Sequence, residues 1–348
     1  MESRQLIKKV IEFDNAPRIG YYFRNSDYPR DQVFHVYARR KDFDYGWREP
    51  SRFYEMHPEL KHFRGFVRRD EYGNLWGKMP EDPSPQGEVL FGAIREWHQA
   101  ENYCLPDLSE TARYEHIPAE VRIAPDKFHI GQLPGFPFSV MRYLRKMENF
   151  LEDIIIEKEY VHSLNEKVVS QLLGIIENYK KAGMDAIHFC EDWGMQDRLM
   201  INPVLWREMF KPSFRILCDK AHDCGMFVFM HSCGCIYEIL NDLIETGINA
   251  FQFDQPTLMG IDRISAMFRG KVTLMSPVDI QKILPAGDRN LIEKGARELV
   301  EKFFKNRGGG FIAWDYGDYK TLHIEEAWVK WARDEFIRTG GCEIENHV

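Results

Sequence analysis

Residues 227–235 read Phe227-Val-Phe-Met-His231-Ser-Cys233-Gly-Cys235. The apolar run Phe227–Met230 has the length and composition of a buried strand. It stops abruptly in soft ligand atoms and a glycine. Side chains two positions apart on an extended chain share a face, so His231 and Cys233 can both point at one ion. Imidazole plus thiolate is a donor pair that zinc prefers. The plain alternative is a strand running into a loop, with Cys233 a small apolar residue.

Working outward, the same unit repeats. Downstream, a helical pattern over 236–246 ends at Gly247, and Ala250-Phe-Gln-Phe-Asp254 is a strand followed by Gln255-Pro256. A helix near 261–269, a strand at Lys271–Met275, a helix opened by Ser276-Pro277, a helix over 288–306, a strand at Phe311–Trp314 and a last helix over 323–338 follow. Upstream, Ala186-Ile-His-Phe-Cys190 is a strand, and Asn202-Pro203 starts a helix whose Trp206, Phe210, Phe214 and Cys218 form one apolar stripe. Ser163-Leu-Asn-Glu166 has the form of a capping box and predicts a helix start. Phe128–Leu133 and Arg18–Phe23 add two more strands, and residues 2–12 a short amphipathic helix. Strands and helices that alternate demand parallel pairing with right-handed crossovers. The pattern predicts an α/β fold, a (β/α)8 TIM barrel. A doubly wound sheet competes, but no Gly-rich dinucleotide turn follows any strand. Residues 1–118 are irregular, aromatic-rich and punctuated by turn signals at Glu71–Asn74 and Pro80–Pro85. They predict an ordered extension packed on a barrel domain over 119–348, with a first strand near 18–23.

Composition narrows the classes. The 348 residues carry a net charge of −8, spread along the chain, which leaves no footprint for nucleic acid. The apolar runs are too short for a membrane span. Met1-Glu-Ser-Arg-Gln5 shows no signal-peptide pattern, and seven scattered cysteines suit a reducing compartment. A cytoplasmic protein acting on a small molecule is expected.

In a barrel the catalytic groups stand at the C-terminal ends of the strands. Those ends gather Glu191 and Asp192, then His231, Cys233 and Cys235, then Asp254 and Gln255, then Ser276 and Asp279, then Asp315, Tyr316 and Asp318. Ser276 and Asp279 fit helix capping as well as function. Cys190, Cys218 and Cys224 lie on apolar faces and read as core, and His129, His188, His222 and His323 lack partners at ligand spacing. Zinc with three protein ligands and an open position either holds a thiol as thiolate or generates hydroxide. The residues alone leave both open.

Glu191-Asp-Trp-Gly-Met-Gln196, Ile201-Asn-Pro-Val-Leu-Trp-Arg-Glu208, Lys211-Pro212, His231-Ser-Cys-Gly234, Gln255-Pro256 and Pro277-Val-Asp-Ile-Gln281 together resemble the uroporphyrinogen decarboxylase superfamily over about 120–338. The resemblance implies a (β/α)8 barrel with its site at the C-terminal rim. One branch is the cofactor-free decarboxylase, marked by two closely spaced arginines near the N-terminus; here Arg24 and Arg30 stand further apart. The other is the zinc methyltransferases, which move methyl groups between a corrinoid and an acceptor and carry His-x-Cys-Gly, matched by His231, Cys233 and Gly234. The methyltransferase branch is the nearer. It implies zinc held by His231 and Cys233, a corrinoid co-substrate and a corrinoid-protein partner. Its further cysteine is missing from Ala313–Gly317, so Asp315 or Glu191 is the expected replacement, with Cys235 a further candidate. Asp192, Asp254 and Tyr316 are the expected catalytic residues, and Arg24, Trp193, Gln255 and Asp279 the expected substrate contacts. The alternatives are a metal-free carboxy-lyase using Arg24, Arg30 and Asp254, and a non-catalytic tetrapyrrole-binding barrel.

Overall fold

The computed structural model describes residues 1–82 and 86–341. The end of the turn signal at Pro80–Pro85 and the last residues of the chain, Cys342 included, lie outside the described residues. The strands in chain order are β1 (Gly20–Tyr22), β2 (Gln32–His35), β3 (Phe66–Arg69), β4 (Leu75–Lys78), β5 (Glu88–Phe91), β6 (Phe128–Gln132), β7 (Ala186–Cys190), β8 (Phe227–His231), β9 (Ala250–Gln252), β10 (Thr273–Ser276) and β11 (Phe311–Trp314). Eight of them form one parallel sheet in the order β1-β11-β10-β9-β8-β7-β6-β2. Surrounded by helices, this sheet is the expected (β/α)8 barrel, nearly closed.

The barrel meets itself at a seam between β1 and β2, both drawn from the N-terminal stretch. No helix joins these two strands and no ladder pairs them. The buried carboxylate of Asp31 ties the seam instead. It accepts from the Tyr21 amide at 2.9 Å, from Arg18 at 2.7 and 2.9 Å, and from Ser3 Oγ at 2.8 Å. Inside, Tyr22 stacks on Trp314 at 4.5 Å, and Phe34 packs edge-on against both rings. These aromatics fill the barrel across the open seam.

The N-terminal helix, Ser3–Glu12, covers the lower end of the barrel and buries Leu6, Ile7, Val10 and Ile11. The Val10 carbonyl accepts from the amide of Gly310, just ahead of β11, at 2.9 Å. A side chain at Gly309 would put its Cβ 2.4 Å from that carbonyl, so the close approach requires glycine.

Three local expectations are corrected. The helix expected to start at Ser163 begins at Lys158 and runs to Lys181. Val161 and Leu164 extend its buried face by a turn, and this burial outweighs the local capping signal. The Trp206–Cys218 stripe is fully buried as expected, but its helix is broken into Pro203–Met209 and Lys211–Asp223. Pro212 has no N–H to give the Glu208 carbonyl four residues back, and Phe210 leaves helical geometry at φ −120°. The helix expected from Ser276-Pro277 is a turn leading into a short 3-10 segment at Leu284–Ala286.

Strands β3, β4 and β5 form a separate antiparallel sheet over a small core of Leu60, Val67 and Leu75. It docks on the helix Pro137–Arg145. The Ile94 amide donates to the Leu144 carbonyl at 2.9 Å, Arg145 donates to the carbonyls of Ile94 and Arg95, and Trp76 packs on Tyr143 at 4.9 Å. The sheet therefore stands beside the rim of the barrel. Among the described residues no helix is long and apolar enough to cross a membrane.

Candidate metal centre

Strands β7 and β8 are in register with Cys190 opposite His231. Continuing both chains by two residues brings Asp192 level with Cys233 on the same face. The loops beyond are locked back to back. The Cys235 amide donates to the Met195 carbonyl at 2.7 Å, and the Cys233 amide donates to Asp192 Oδ1 at 2.9 Å. Gly234 has φ +74°, and a Cβ there would lie 2.3 Å from the Gly194 carbonyl oxygen. The glycine after Cys233 is thus a backbone requirement of this contact. Gln255 steadies the loop from the next strand, its Oε1 accepting from the Gly234 amide at 3.3 Å.

This framework gathers a sulfur, a nitrogen and a carboxylate. His231 Nε2 is 3.3 Å from Cys233 Sγ and 3.5 Å from Asp192 Oδ1. One ligand atom from each of Asp192, His231 and Cys233 lies within 4.8 Å of the others. On the far side of the ring, His231 Nδ1 is 3.8 Å from Asp254 Oδ2 and has no hydrogen-bond partner among the described residues. Asp254 is itself held by Gln252 Nε2, which donates to Oδ1 at 2.6 Å. Arg142, on the helix after β6, reaches Asp192 Oδ2 at 3.5 Å.

The charges are concentrated. Burial works against protonating His231, but the Cys233 sulfur and the Asp254 and Asp192 carboxylates outweigh it and raise the imidazolium to about 10. Burial lifts Asp254 to about 6, against the pull of His231 and Gln252. Below the rim, burial pushes the His188 imidazolium down to about 3, and the His231 charge adds to it. Its Nδ1 faces Gln132 Oε1 at 2.8 Å. A cation would compete with a proton for His231 Nε2, so uptake is linked to pH. The donor set fits zinc: thiolate, imidazole and carboxylate are its usual protein ligands, and three of them leave a fourth position open.

Glu191 and Asp315, the expected third ligands, are not in this group. Glu191 is fully buried, and its Oε1 accepts from the amides of Phe136 and Ser139 at 2.8 and 2.9 Å. It caps the helix Pro137–Arg145 from the neighbouring strand end, and burial raises its carboxyl to about 8. Asp315 is 1% exposed and committed to Arg333, which donates from Nη2 at 2.8 Å and from Nε at 3.1 Å, and to the Arg24 amide at 2.8 Å. Cys235 is half-buried and also outside the group. The third donor is Asp192, expected only as a catalytic or orienting residue.

The expected substrate contacts divide. Trp193 is fully buried, stacked on Phe138 at 3.7 Å with Phe210 and Trp206 around it, and belongs to the core. Asp279 accepts from the amides of Gln281 and Lys282 and from the Thr257 hydroxyl, so it ties a turn. Gln255 holds the Cys233 loop. Arg24 is exposed at the rim, 6.0 Å above the Trp314 ring, and its charge reaches Asp254. Tyr316 is half-buried; burial raises its hydroxyl, and the charges of Asp254 and Cys233 add to the shift. Arg142 was not singled out from sequence, and His188 was read there only as a histidine without a partner at ligand spacing. Arg142 follows the Pro-Gly-Phe-Pro loop after β6, a position at the C-terminal face that could have flagged it.

The family model for uroporphyrinogen decarboxylase matches residues 89–313, which include the strand ends from β6 to β10 and their Glu191, Asp192, His231, Cys233 and Asp254. The chain belongs to the uroporphyrinogen decarboxylase family. Among solved structures, a methyltransferase from Methanosarcina mazei is 14% identical, covers 97% of this chain and 99% of its own, and superposes with a TM-score of 0.59. At that identity the likeness shows a shared fold. The apo form of 3-keto-D-glucoside 4-epimerase from E. coli, 12% identical over 88% of this chain and 99% of its own, reaches a TM-score of only 0.40. No curated protein matches significantly.

Proposed function

We propose that this family member is a zinc-dependent methyltransferase, with a corrinoid or another methylated compound as donor and a small acceptor molecule. The observation that carries the proposal is the donor set of His231, Cys233 and Asp192 at the barrel rim. Zinc there would supply a Lewis acid that keeps an acceptor thiol in its nucleophilic thiolate form. The protein's own part follows from position. His231 presents Nε2 to the site while Asp254 stands behind Nδ1 and favours the orientation in which Nε2 is free. Arg142 beside Asp192 fixes that carboxylate. Tyr316 brings a hydroxyl to the same rim, and Arg24 offers an exposed cation to an anionic group of the substrate.

The metal-free carboxy-lyase alternative needs Arg24 and Arg30 to hold carboxylates. Arg30 donates instead to the carbonyls of Phe23 and Arg24, both at 2.9 Å, and lies over the Tyr22 ring. One of its two cations is thus engaged in the backbone. The test is demethylation of methylcobalamin by zinc-loaded protein with 2-mercaptoethanol as acceptor, followed by absorbance. Demethylation that disappears in Cys233→Ala and falls roughly 10- to 100-fold in Asp254→Asn is expected. Turnover of uroporphyrinogen by the chelated protein, with no demethylation, would favour the carboxy-lyase.

A further inference from the structure

Between the antiparallel sheet and the barrel rim lies a cavity of about 340 Å³, within the size range of small-molecule sites. Its walls include Arg39, Tyr45, Arg68, Trp76 and Tyr143. Trp76 and Tyr143, from the sheet and the barrel helix, pack on one another with ring centroids 4.9 Å apart and together give the cavity an aromatic wall.

The charges around this space are unequal in their commitments. Of the lining carboxylates, Asp70 accepts from Trp76 Nε1 at 2.7 Å and from the side chain and amide of Asn74 at 2.9 Å. Glu71 is paired with Arg113 at 2.6 Å and with the Tyr45 hydroxyl. The lining arginines have no such partners. Arg68 lies 4.9 Å from the Trp47 ring and 5.4 Å from Trp76, gives one hydrogen bond to the Gln86 carbonyl at 3.2 Å, and keeps its buried Nε without a partner among the described residues. Arg39 rests on the Tyr45 ring. Neither arginine meets a carboxylate at ion-pair distance among the described residues. Both arginines line the cavity; burial lowers the Arg68 guanidinium, the charge of Asp70 opposes this, and the charge of Arg39 adds to it.

We infer that this cavity binds an aromatic carboxylate, with the ring against Trp76 and Tyr143 and the carboxylate between Arg68 and Arg39. Planar guanidinium groups pair with carboxylates in bidentate geometry, and the bordering rings offer stacking surface to a flat ligand. The site adjoins the rim without sharing its ligands. The Tyr143 hydroxyl accepts from Arg142 Nη2 at 2.9 Å, and the same guanidinium lies 3.5 Å from Asp192. The inference does not depend on zinc or on methyl transfer.

Isothermal titration calorimetry of the full chain with 2-naphthoate, its neutral analogue 2-naphthamide and inorganic phosphate tests it. Saturable binding of 2-naphthoate is expected, with the amide and phosphate each about tenfold weaker or worse. Arg68→Gln should weaken 2-naphthoate by about tenfold and Arg68→Lys by less. Arg39 is exposed, so Arg39→Gln leaves the fold intact and should also weaken binding, which keeps the test decisive if Arg68→Gln fails to fold. Binding in His231→Ala should match the unaltered protein. Absent saturable binding, equal affinity for acid and amide, equal affinity for phosphate, indifference to Arg39→Gln, or loss in His231→Ala would each overturn the assignment.

Discussion

The Asp315–Arg333 pair separates a structural carboxylate from a metal ligand, and Arg333→Met tests which it is. Both groups are buried, Arg333 at 3% and Asp315 at 1% exposure, and the guanidinium lies against the carboxylate through Nε and Nη2. Methionine fills much of the volume of the arginine stem but leaves the Asp315 carboxylate, among the described residues, with the Arg24 amide at 2.8 Å as its hydrogen-bond donor. Removing one partner of a buried ion pair strands a charge out of water and costs about 3–5 kcal/mol. That is a large part of the roughly 5–15 kcal/mol by which a folded protein is stable. Urea unfolding followed by tryptophan fluorescence, with and without zinc, should show a loss of that size. Asp315→Asn should be less stable than the unaltered protein yet bind zinc as well. A loss below about 1 kcal/mol in Arg333→Met would refute the burial argument, since exposed pairs contribute only that much. Loss of zinc in folded Asp315→Asn would refute the assignment of this residue to the frame.

Three further outcomes follow from the geometry. Glu191 has a folded-state pKa of about 8 against an ordinary value of 4.5, so the folded state holds its proton longer than the unfolded chain. Its contribution is fully present below about pH 4.5 and is lost as pH rises to about 8, a swing on the order of 4 kcal/mol; thermal unfolding of Glu191→Gln from pH 5 to 8 should lack that slope, and an identical slope would refute it. Gly234→Ala should destabilise the protein by more than about 1 kcal/mol and lower zinc occupancy, because alanine is strained at φ +74° and its Cβ meets the Gly194 carbonyl; normal occupancy and melting would show that the two loops can part. Phe214→Ala, in the fully buried stripe, should cost about 3–5 kcal/mol in urea unfolding with no change in zinc per folded chain.

Much of the barrel was legible because each strand from Phe128 onward is an apolar run followed by a helix with its own apolar face. Strand β2 was not. Gln32-Val-Phe-His35 is short, no helix separates it from β1, and a side chain, Asp31, holds the seam where a ladder would otherwise show. The centre of the site was legible for a local reason, since His231 and Cys233 are two residues apart on one strand end. The third donor was not, because it depends on register between strands. Asp192 is level with Cys233 only once Cys190 is known to stand opposite His231. Asp315 is drawn away by Arg333, a partner on the last helix that no local pattern announces. Trp193 stands next to the rim acids in sequence, yet Phe138 from another βα unit buries it.

Zinc content is the most direct test of the centre. Protein purified without chelator, together with His231→Ala, Asp192→Asn and Asp315→Asn, should be assayed by elemental analysis at neutral pH. About one zinc per chain is predicted for the unaltered protein and for Asp315→Asn, with marked loss in His231→Ala and Asp192→Asn. Less than about a tenth of an equivalent in the unaltered protein, or an amount unchanged by His231→Ala, would contradict a metal centre of His231, Cys233 and Asp192.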